Sequence, residues 1–221
     1  MTVLLASHSL KPPAQLVERI AALPLKGRRR LVAIAGAPAS GKSTLAAALT
    51  EHLAQAGHTS ANVPMDGFHL DNRLLDEAGL RARKGAPETF DAGGFVAMMR
   101  RLKSEEEVCF PLFDRGRDLA VAGAGRVGPD CDLAIVEGNY LLFDEPPWNA
   151  LAPLWDLSIW IDTPEELVLK RTVERWLAHD HTPEAARARA EGNDLANARR
   201  IIAARLPSDV TVAVPPDAGG L

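Results

Sequence analysis

Apolar and polar positions along this chain switch between helical spacing and unbroken runs, and the switches divide it into elements. Leu16, Val17, Ile20 and Leu23 fall on one stripe behind Pro12 and Pro13, which predicts a helix from Pro13 to about Leu23. The β-branched run Leu31 to Ala35 reads as a strand buried on both faces. Leu45, Leu49 and Leu53 then return to helical spacing between Lys42 and about Ala56, and Gly57 supplies a stop. A short strand follows near Thr59 to Met65 and delivers Asp66 at its end. Cys131 to Val136 and Leu157 to Ile161 are further apolar strands, ending in Glu137 and Asp162.

Helix starts are also marked. Thr163, Pro164 and Glu166 combine a threonine cap, a proline at the first helical position and a glutamate three residues after the cap, predicting a helix that runs toward Leu177. Thr182-Pro183-Glu184 opens another charged helix, a further one covers Gly94 to Lys103, and Asp209 to Ala213 forms a last strand before a Pro/Gly tail. Residues 67 to 94, rich in glycine and charge, read as a mobile insertion with a short helix, and the Gly/Ala-rich stretch Ala120 to Gly128 reads as a loop. Strands alternating with helices imply an α/β fold in three layers, a parallel sheet covered on both faces. A chain of 221 residues is enough for one such domain, so a single domain over 1–221 is expected.

Composition narrows the partners. The formal net charge is −4, and the one basic run, Arg28-Arg29-Arg30, abuts the first strand and reads as a solvated strand entrance. Nucleic acid is therefore not an expected partner. Cys109 and Cys131 lack metal-type spacing and read as reduced thiols. No apolar run approaches membrane-spanning length and Met1 to Leu10 lacks a basic leader pattern, so a cytoplasmic protein without a membrane partner is expected. His8, His52 and His58 read as incidental surface residues, and the four tryptophans Trp148, Trp155, Trp160 and Trp176 as core and loop anchors.

The chemistry begins at Gly36-Ala37-Pro38-Ala39-Ser40-Gly41-Lys42-Ser43, a G-x-x-x-x-G-K-S sequence lying between a strand and a helix. In that setting its backbone N–H groups and the helix start cradle phosphate, and the cradle extends to Thr44. Lys42 supplies a point charge for the β- and γ-phosphates, and the Ser43 hydroxyl is a Mg²⁺ ligand. The chain is thus expected to bind a nucleoside triphosphate. Ligands of open α/β sheets sit beyond the carboxyl ends of the strands, where Asp66 and Glu137 would converge on the cradle. Asp66 fits the base that accepts an attacking hydroxyl's proton, and Glu137 fits the organiser of the metal. Arg171 and Arg175, four residues apart, share one helix face; that face fits either a lid that clamps the triphosphate or a solvated stripe.

Taken in order, the cradle, Met65 to Leu70, Arg83 to Asp91, Pro111 to Asp114 and Val136 to Leu142 resemble the phosphoribulokinase/uridine kinase group, to which pantothenate kinases belong. The likeness spans about residues 15 to 200. It is nearest to a bacterial nucleoside-kinase-like branch labelled as fructose transport system kinases. The resemblance implies a P-loop kinase using ATP and Mg²⁺, with a five-stranded parallel sheet of order 2-3-1-4-5 and a helical lid over about residues 171–197. It implies Asp66, Lys42, Arg171 and Arg175 as catalytic residues. An acceptor side would be built from Asp66, His69, Arg83, Lys84, Phe113, Arg115 and Arg117. Asp91 fits either substrate contact or a helix N-cap, and Asp194 and Asn197 match a polar segment of that branch whose role stays open.

Uridine kinases carry Asp-Ser-Phe-Tyr where this chain has Asp66-Gly67-Phe68-His69, and the aromatic-plus-histidine acceptor motif is replaced by Pro111 to Arg117. Gaining Arg115 and Arg117 there suits a sugar-like or other polar or anionic acceptor. The expected activity is therefore γ-phosphoryl transfer from ATP to a hydroxyl of a small metabolite. A uridine-type nucleoside kinase and a nucleotide-binding regulatory ATPase are the alternatives. A homodimer stays open.

Overall fold

The computed structural model describes residues 2–4 and 12–215. His8 and the end of the Pro/Gly tail lie outside the described residues. The strands are β1 (Thr2–Leu4), β2 (Arg30–Gly36), β3 (Ser60–Pro64), β4 (Val108–Asp114), β5 (Leu119–Val127), β6 (Leu133–Gly138), β7 (Leu157–Asp162) and β8 (Val210–Ala213). The helices are α1 (Ala14–Ala21), α2 (Lys42–Gln55), α3 (Asn72–Glu77), α4 (Ala92–Ser104), α5 (Glu165–Leu177), α6 (Pro183–Arg189) and α7 (Ala196–Ala203).

The main sheet runs β3-β6-β2-β7-β8 with every neighbouring pair parallel, which is the expected 2-3-1-4-5 order; β1 adds a sixth strand outside β8. Strand β2 sits at its centre and shows why the fold has three layers. Val32 and Ile34 point into a core with Leu16 and Ile20 of α1 and Leu45, Leu49 and Leu53 of α2. Leu31, Ala33 and Ala35 point the other way, into a core with Phe95 and Met99 of α4 and Trp148. Both sets are excluded from water, as expected of a parallel strand covered on both faces.

Four expectations are corrected. Ala120 to Gly128 is not a loop: β5 pairs antiparallel with β4 as a separate two-stranded hairpin, in which Gly125, opposite Phe110, leaves room for the Phe110 ring. Residues 67 to 94 do not stand off as an insertion. Phe68, Leu75, Phe90 and Thr89 are buried, and a bridge between His69 and Phe90 ties the two ends of the segment together. Arg29 and Arg30 are not solvated. Arg29 is fully buried, donating to the carbonyls of Leu102 at 3.2 Å and Gly128 at 2.9 Å and to those of Glu105 and Glu106, so it closes the C-terminal end of α4. Finally, α5 begins at Glu165 with Pro164 as its cap residue, and the buried Thr163 hydroxyl does not cap it.

Other expectations hold. Asp91 is the N-cap of α4, its carboxylate accepting from the Gly94 amide at 2.8 Å. Thr182 caps α6 through the Ala185 amide. Among the described residues no helix is long and apolar enough to cross a membrane.

Candidate active site

Between β2 and α2 the chain turns, and the turn from Pro38 to Thr44 lines a cavity. Gly41 takes φ +95°, a left-handed conformation that leads directly into α2. Gly36 serves by size rather than by torsion, since a Cβ there would lie 2.7 Å from the Ser40 hydroxyl. Lys42, the first residue of α2, folds back and donates to the carbonyls of Gly36 at 3.2 Å and Ala37 at 2.8 Å. Its ammonium is almost wholly buried, and burial brings its pKa down from 10.5 to about 8, against the opposing pull of Glu137 and Asp66.

Strand register carries the two acidic residues to this loop. Glu137 lies opposite Ile34 in β6 and accepts from the Ser43 hydroxyl at 3.0 Å. Burial pushes its carboxyl above the usual range, and the neighbouring Asp66 pushes the same way. Asp66 falls two residues beyond β3, inside a short 3₁₀ turn over Met65–Phe68, rather than at the strand end. Its Oδ2 sits 2.7 Å from Nη2 of Arg115, which comes from the turn between β4 and β5. The missed hairpin is thus what brings Arg115 to the site.

Arg171 and Arg175 of α5 line the same cavity. Arg171 is buried on α5 and donates to the Ala39 carbonyl of the glycine loop at 3.4 Å. Arg175 pairs with Asp194 at 2.8 Å, and the Trp176 indole N–H donates to the other oxygen of that carboxylate at 2.6 Å. Asp194 sits on a π-helical turn, Ala190–Leu195, that also buries Asn193. Asn193 donates to the Lys84 carbonyl at 2.9 Å, and Asn197 accepts from Arg83 at 3.2 Å. The polar segment left open by sequence therefore joins α5 to the residue 83–84 segment. Trp148 and Trp160 are core residues as expected, but Trp176 is not. It lines the cavity, with the Arg189 guanidinium 4.1 Å from its ring centroid.

Beyond Asp66 the wall becomes aromatic. His69 stacks on Phe90 with centroids 4.0 Å apart and touches Phe113 at 4.8 Å. Burial lowers the His69 pKa to about 4, so its imidazole is neutral at ordinary pH. Lys84 is held by Asn72 at 2.7 Å and by the carboxylate and carbonyl of Asp118 at 2.7 and 3.0 Å. All three of its protons are committed. Arg83 and Arg117 are not brought to the cavity. Arg83 is turned to Asn197, and Arg117 points to solvent from the hairpin turn, its amide bound to Asp114.

One cavity of about 710 Å³ contains the glycine loop from Pro38 to Thr44, Asp66, Glu137, Arg171 and Arg175, and extends past Asp66 to His69, Lys84, Phe113 and Arg115. Among the described residues no cluster of three or more His, Cys, Asp or Glu could hold a metal alone. The Ser43 hydroxyl and the Glu137 carboxylate are hard oxygen donors of the kind that serve Mg²⁺ alongside waters and phosphate oxygens.

Comparison with known proteins agrees with this geometry. Residues 31–185 match the model of the phosphoribulokinase/uridine kinase family. The crystal structure of a "putative fructose transport system kinase" from Silicibacter sp. TM1040 is 54% identical, with a TM-score of 0.87 over 92% of this chain and 98% of that one. The Escherichia coli protein YggC is 37% identical over 79% of this chain and 73% of its own length. A pantothenate kinase from Chelativorans sp. is 34% identical over 66% of this chain and 49% of its own.

Proposed function

Since this chain belongs to the phosphoribulokinase/uridine kinase family, we propose that it transfers the γ-phosphoryl group of ATP to a hydroxyl of a small polar or anionic metabolite. Kinases of this family are phosphotransferases acting on hydroxyl groups. The observation that carries the finer reading is the continuity of one cavity from the glycine loop, past Asp66, to His69, Lys84, Phe113 and Arg115. A regulatory ATPase has no need of that added space. A nucleoside acceptor is less well supported, because His69 stacks on Phe90 and packs its ring, tilted, against Phe113, so these rings engage one another instead of leaving an open slot for a base.

In this reading the triphosphate lies along the glycine loop, with the loop amides and the start of α2 facing its oxygens. Lys42 leaves the Gly36 and Ala37 carbonyls for the β- and γ-phosphates. Ser43 and Glu137 would hold Mg²⁺, which when bound would neutralise negative charge on the triphosphate. Asp66 accepts the acceptor hydroxyl's proton as that oxygen bonds to the γ-phosphorus and the bond to the β-phosphate oxygen breaks, releasing ADP. Arg171 and Arg175 face the transferring oxygens from α5.

The test is ATP consumption by the purified chain with Mg²⁺ against a panel of sugars, polyols, carboxylated polyols, nucleosides and pantothenate. Phosphorylation of at least one, confirmed by mass, is the expected result. ATP hydrolysis unaffected by every acceptor would favour the regulatory reading instead.

A further inference from the structure

On the acceptor side, the cations differ in how far their hydrogen-bonding capacity is already used. Lys84 is committed to Asn72 and Asp118, Arg83 to Asn197, and Arg117 faces solvent. Arg115 is different. It lines the cavity from a hairpin turn beside Gly116, its side chain is 60% exposed, and among the described residues its one ion pair is with Asp66. A guanidinium has five N–H donors, so this pair leaves most of its fork available.

We infer that Arg115 is a specificity-determining residue for the acceptor: it occupies Asp66 while the acceptor side is empty, and exchanges that partner for a carboxylate or phosphate group carried by the acceptor. The inference rests on the kinase reading and gives it a substrate class, hydroxy acids or phosphate esters rather than neutral sugars. Two features support the exchange. The pair is partly exposed and monodentate, so it is weak enough to break, and the planar fork matches a carboxylate or phosphate with two parallel bonds. A neutral polyol cannot make that trade. It would have to free Asp66 from a guanidinium while offering only hydroxyls in return.

The same contact bears on wasted ATP. Water on the acceptor side can attack the γ-phosphorus, passing its proton to Asp66 while the bond to the β-phosphate oxygen breaks and ADP and phosphate leave. With Arg115 on the carboxylate, one of its oxygens is already engaged and this reaction is suppressed.

The experiment compares the wild-type chain with Arg115→Ala, Arg115→Lys and Arg126→Ala. Arg126 is an exposed arginine of the same hairpin that pairs with Glu107, and so controls for lost charge. Without acceptor, Arg115→Ala should raise Mg²⁺-dependent ATP hydrolysis roughly fivefold, the bias a partly exposed ion pair can hold, while Arg126→Ala tracks the wild type. With acceptors, the ratio of kcat/KM for glycerate, gluconate and ribulose 5-phosphate over that for glycerol, ribitol and fructose should favour the anions. That ratio should fall by about tenfold or more in Arg115→Ala and partly recover in Arg115→Lys. Hydrolysis that does not rise in Arg115→Ala overturns the inference, as does an anion-to-neutral ratio that does not change. A wild-type enzyme that prefers neutral acceptors overturns it too, while leaving the kinase reading intact. If the wild type phosphorylates nothing, the kinase reading falls and the hydrolysis comparison still judges the Arg115 contact.

Discussion

Replacing Lys42 by methionine should stabilise the nucleotide-free protein while removing its affinity for ATP. The ammonium is buried against the Gly36 and Ala37 carbonyls, and burial lowers its pKa from 10.5 to about 8. Below pH 8 both folded and unfolded chains carry the proton, and the folded state bears the full cost of burying it. Between pH 8 and 10.5 the unfolded chain binds more protons, so stability rises with pH through that window and levels off above it. The interval corresponds to a penalty on the order of 3 kcal/mol at neutral pH. Methionine keeps the aliphatic stem but gives up two hydrogen bonds worth about 1 kcal/mol each, leaving a net gain of about 1 kcal/mol at pH 7. For a chain of this size that is a rise in Tm of roughly 2–4 °C. Urea denaturation of both proteins without nucleotide, at pH 7 and 9.5, measures the difference. The wild type should gain stability relative to Lys42→Met as the pH rises. ATP should raise the melting temperature of the wild type alone. Because a bound triphosphate draws the proton back onto Lys42, ATP binding near pH 8.5 should also take up a fraction of a proton, read by calorimetry in buffers of different ionisation enthalpy. A Lys42→Met protein that is clearly less stable at pH 7, or identical pH profiles for the two proteins, would refute the reasoning.

Further consequences follow from the neighbouring residues. A Cβ at Gly67 would lie 2.0 Å from the Pro111 carbonyl oxygen, backbone against backbone, so Gly67→Ala must push the hairpin off the Asp66 turn. It should cost about 1–3 kcal/mol in chemical denaturation, and should remove phosphoryl transfer while leaving the ATP-induced thermal shift. Asp194→Asn leaves Arg175 without its carboxylate and weakens the Trp176 indole contact. The expected outcomes are a stability loss of about 1–2 kcal/mol, discounted for the partial exposure of Arg175, a shift in tryptophan emission and a higher KM for ATP. His69 has its pKa lowered to about 4 by burial, so the unfolded chain binds the extra proton first on acidification. Stability should therefore fall as pH drops from 6.5 toward 4, and the His69 ring signals in NMR should not titrate between pH 5 and 8. A midpoint near 6.5 would contradict the desolvation of the ring.

Much of the fold was legible because its signals are local. The glycine loop is specified by residues that each meet a backbone or phosphate requirement, and strands buried on both faces announce themselves as unbroken apolar runs. What escaped depends on partners distant in sequence. β5, from Leu119 to Val127, is mostly alanine and glycine, which are depleted in strands, and becomes a strand by pairing with β4. Arg29 looked solvated because nothing adjacent to it reveals that the C-terminal carbonyls of α4, 73 residues later in the chain at Leu102, need a donor. The connection through Asn193, Asp194 and Asn197 was visible as a polar cluster, but a π-helical turn has no periodic signature that assigns those side chains to Lys84, Arg175 and Arg83. Among acceptor candidates, sequence could not separate Arg115, aimed into the cavity, from Arg117, two residues on and aimed out.

The account's central claim is that Asp66 takes the proton from an acceptor hydroxyl held in the same cavity as the triphosphate. The direct measurement is phosphoryl transfer by Asp66→Asn to whichever acceptor the wild type phosphorylates, alongside nucleotide affinity by calorimetry. Transfer should fall by about 10²–10⁴-fold with ATP affinity within a few fold of the wild type. Transfer that persists near the wild-type rate, with ATP bound as before, would contradict it.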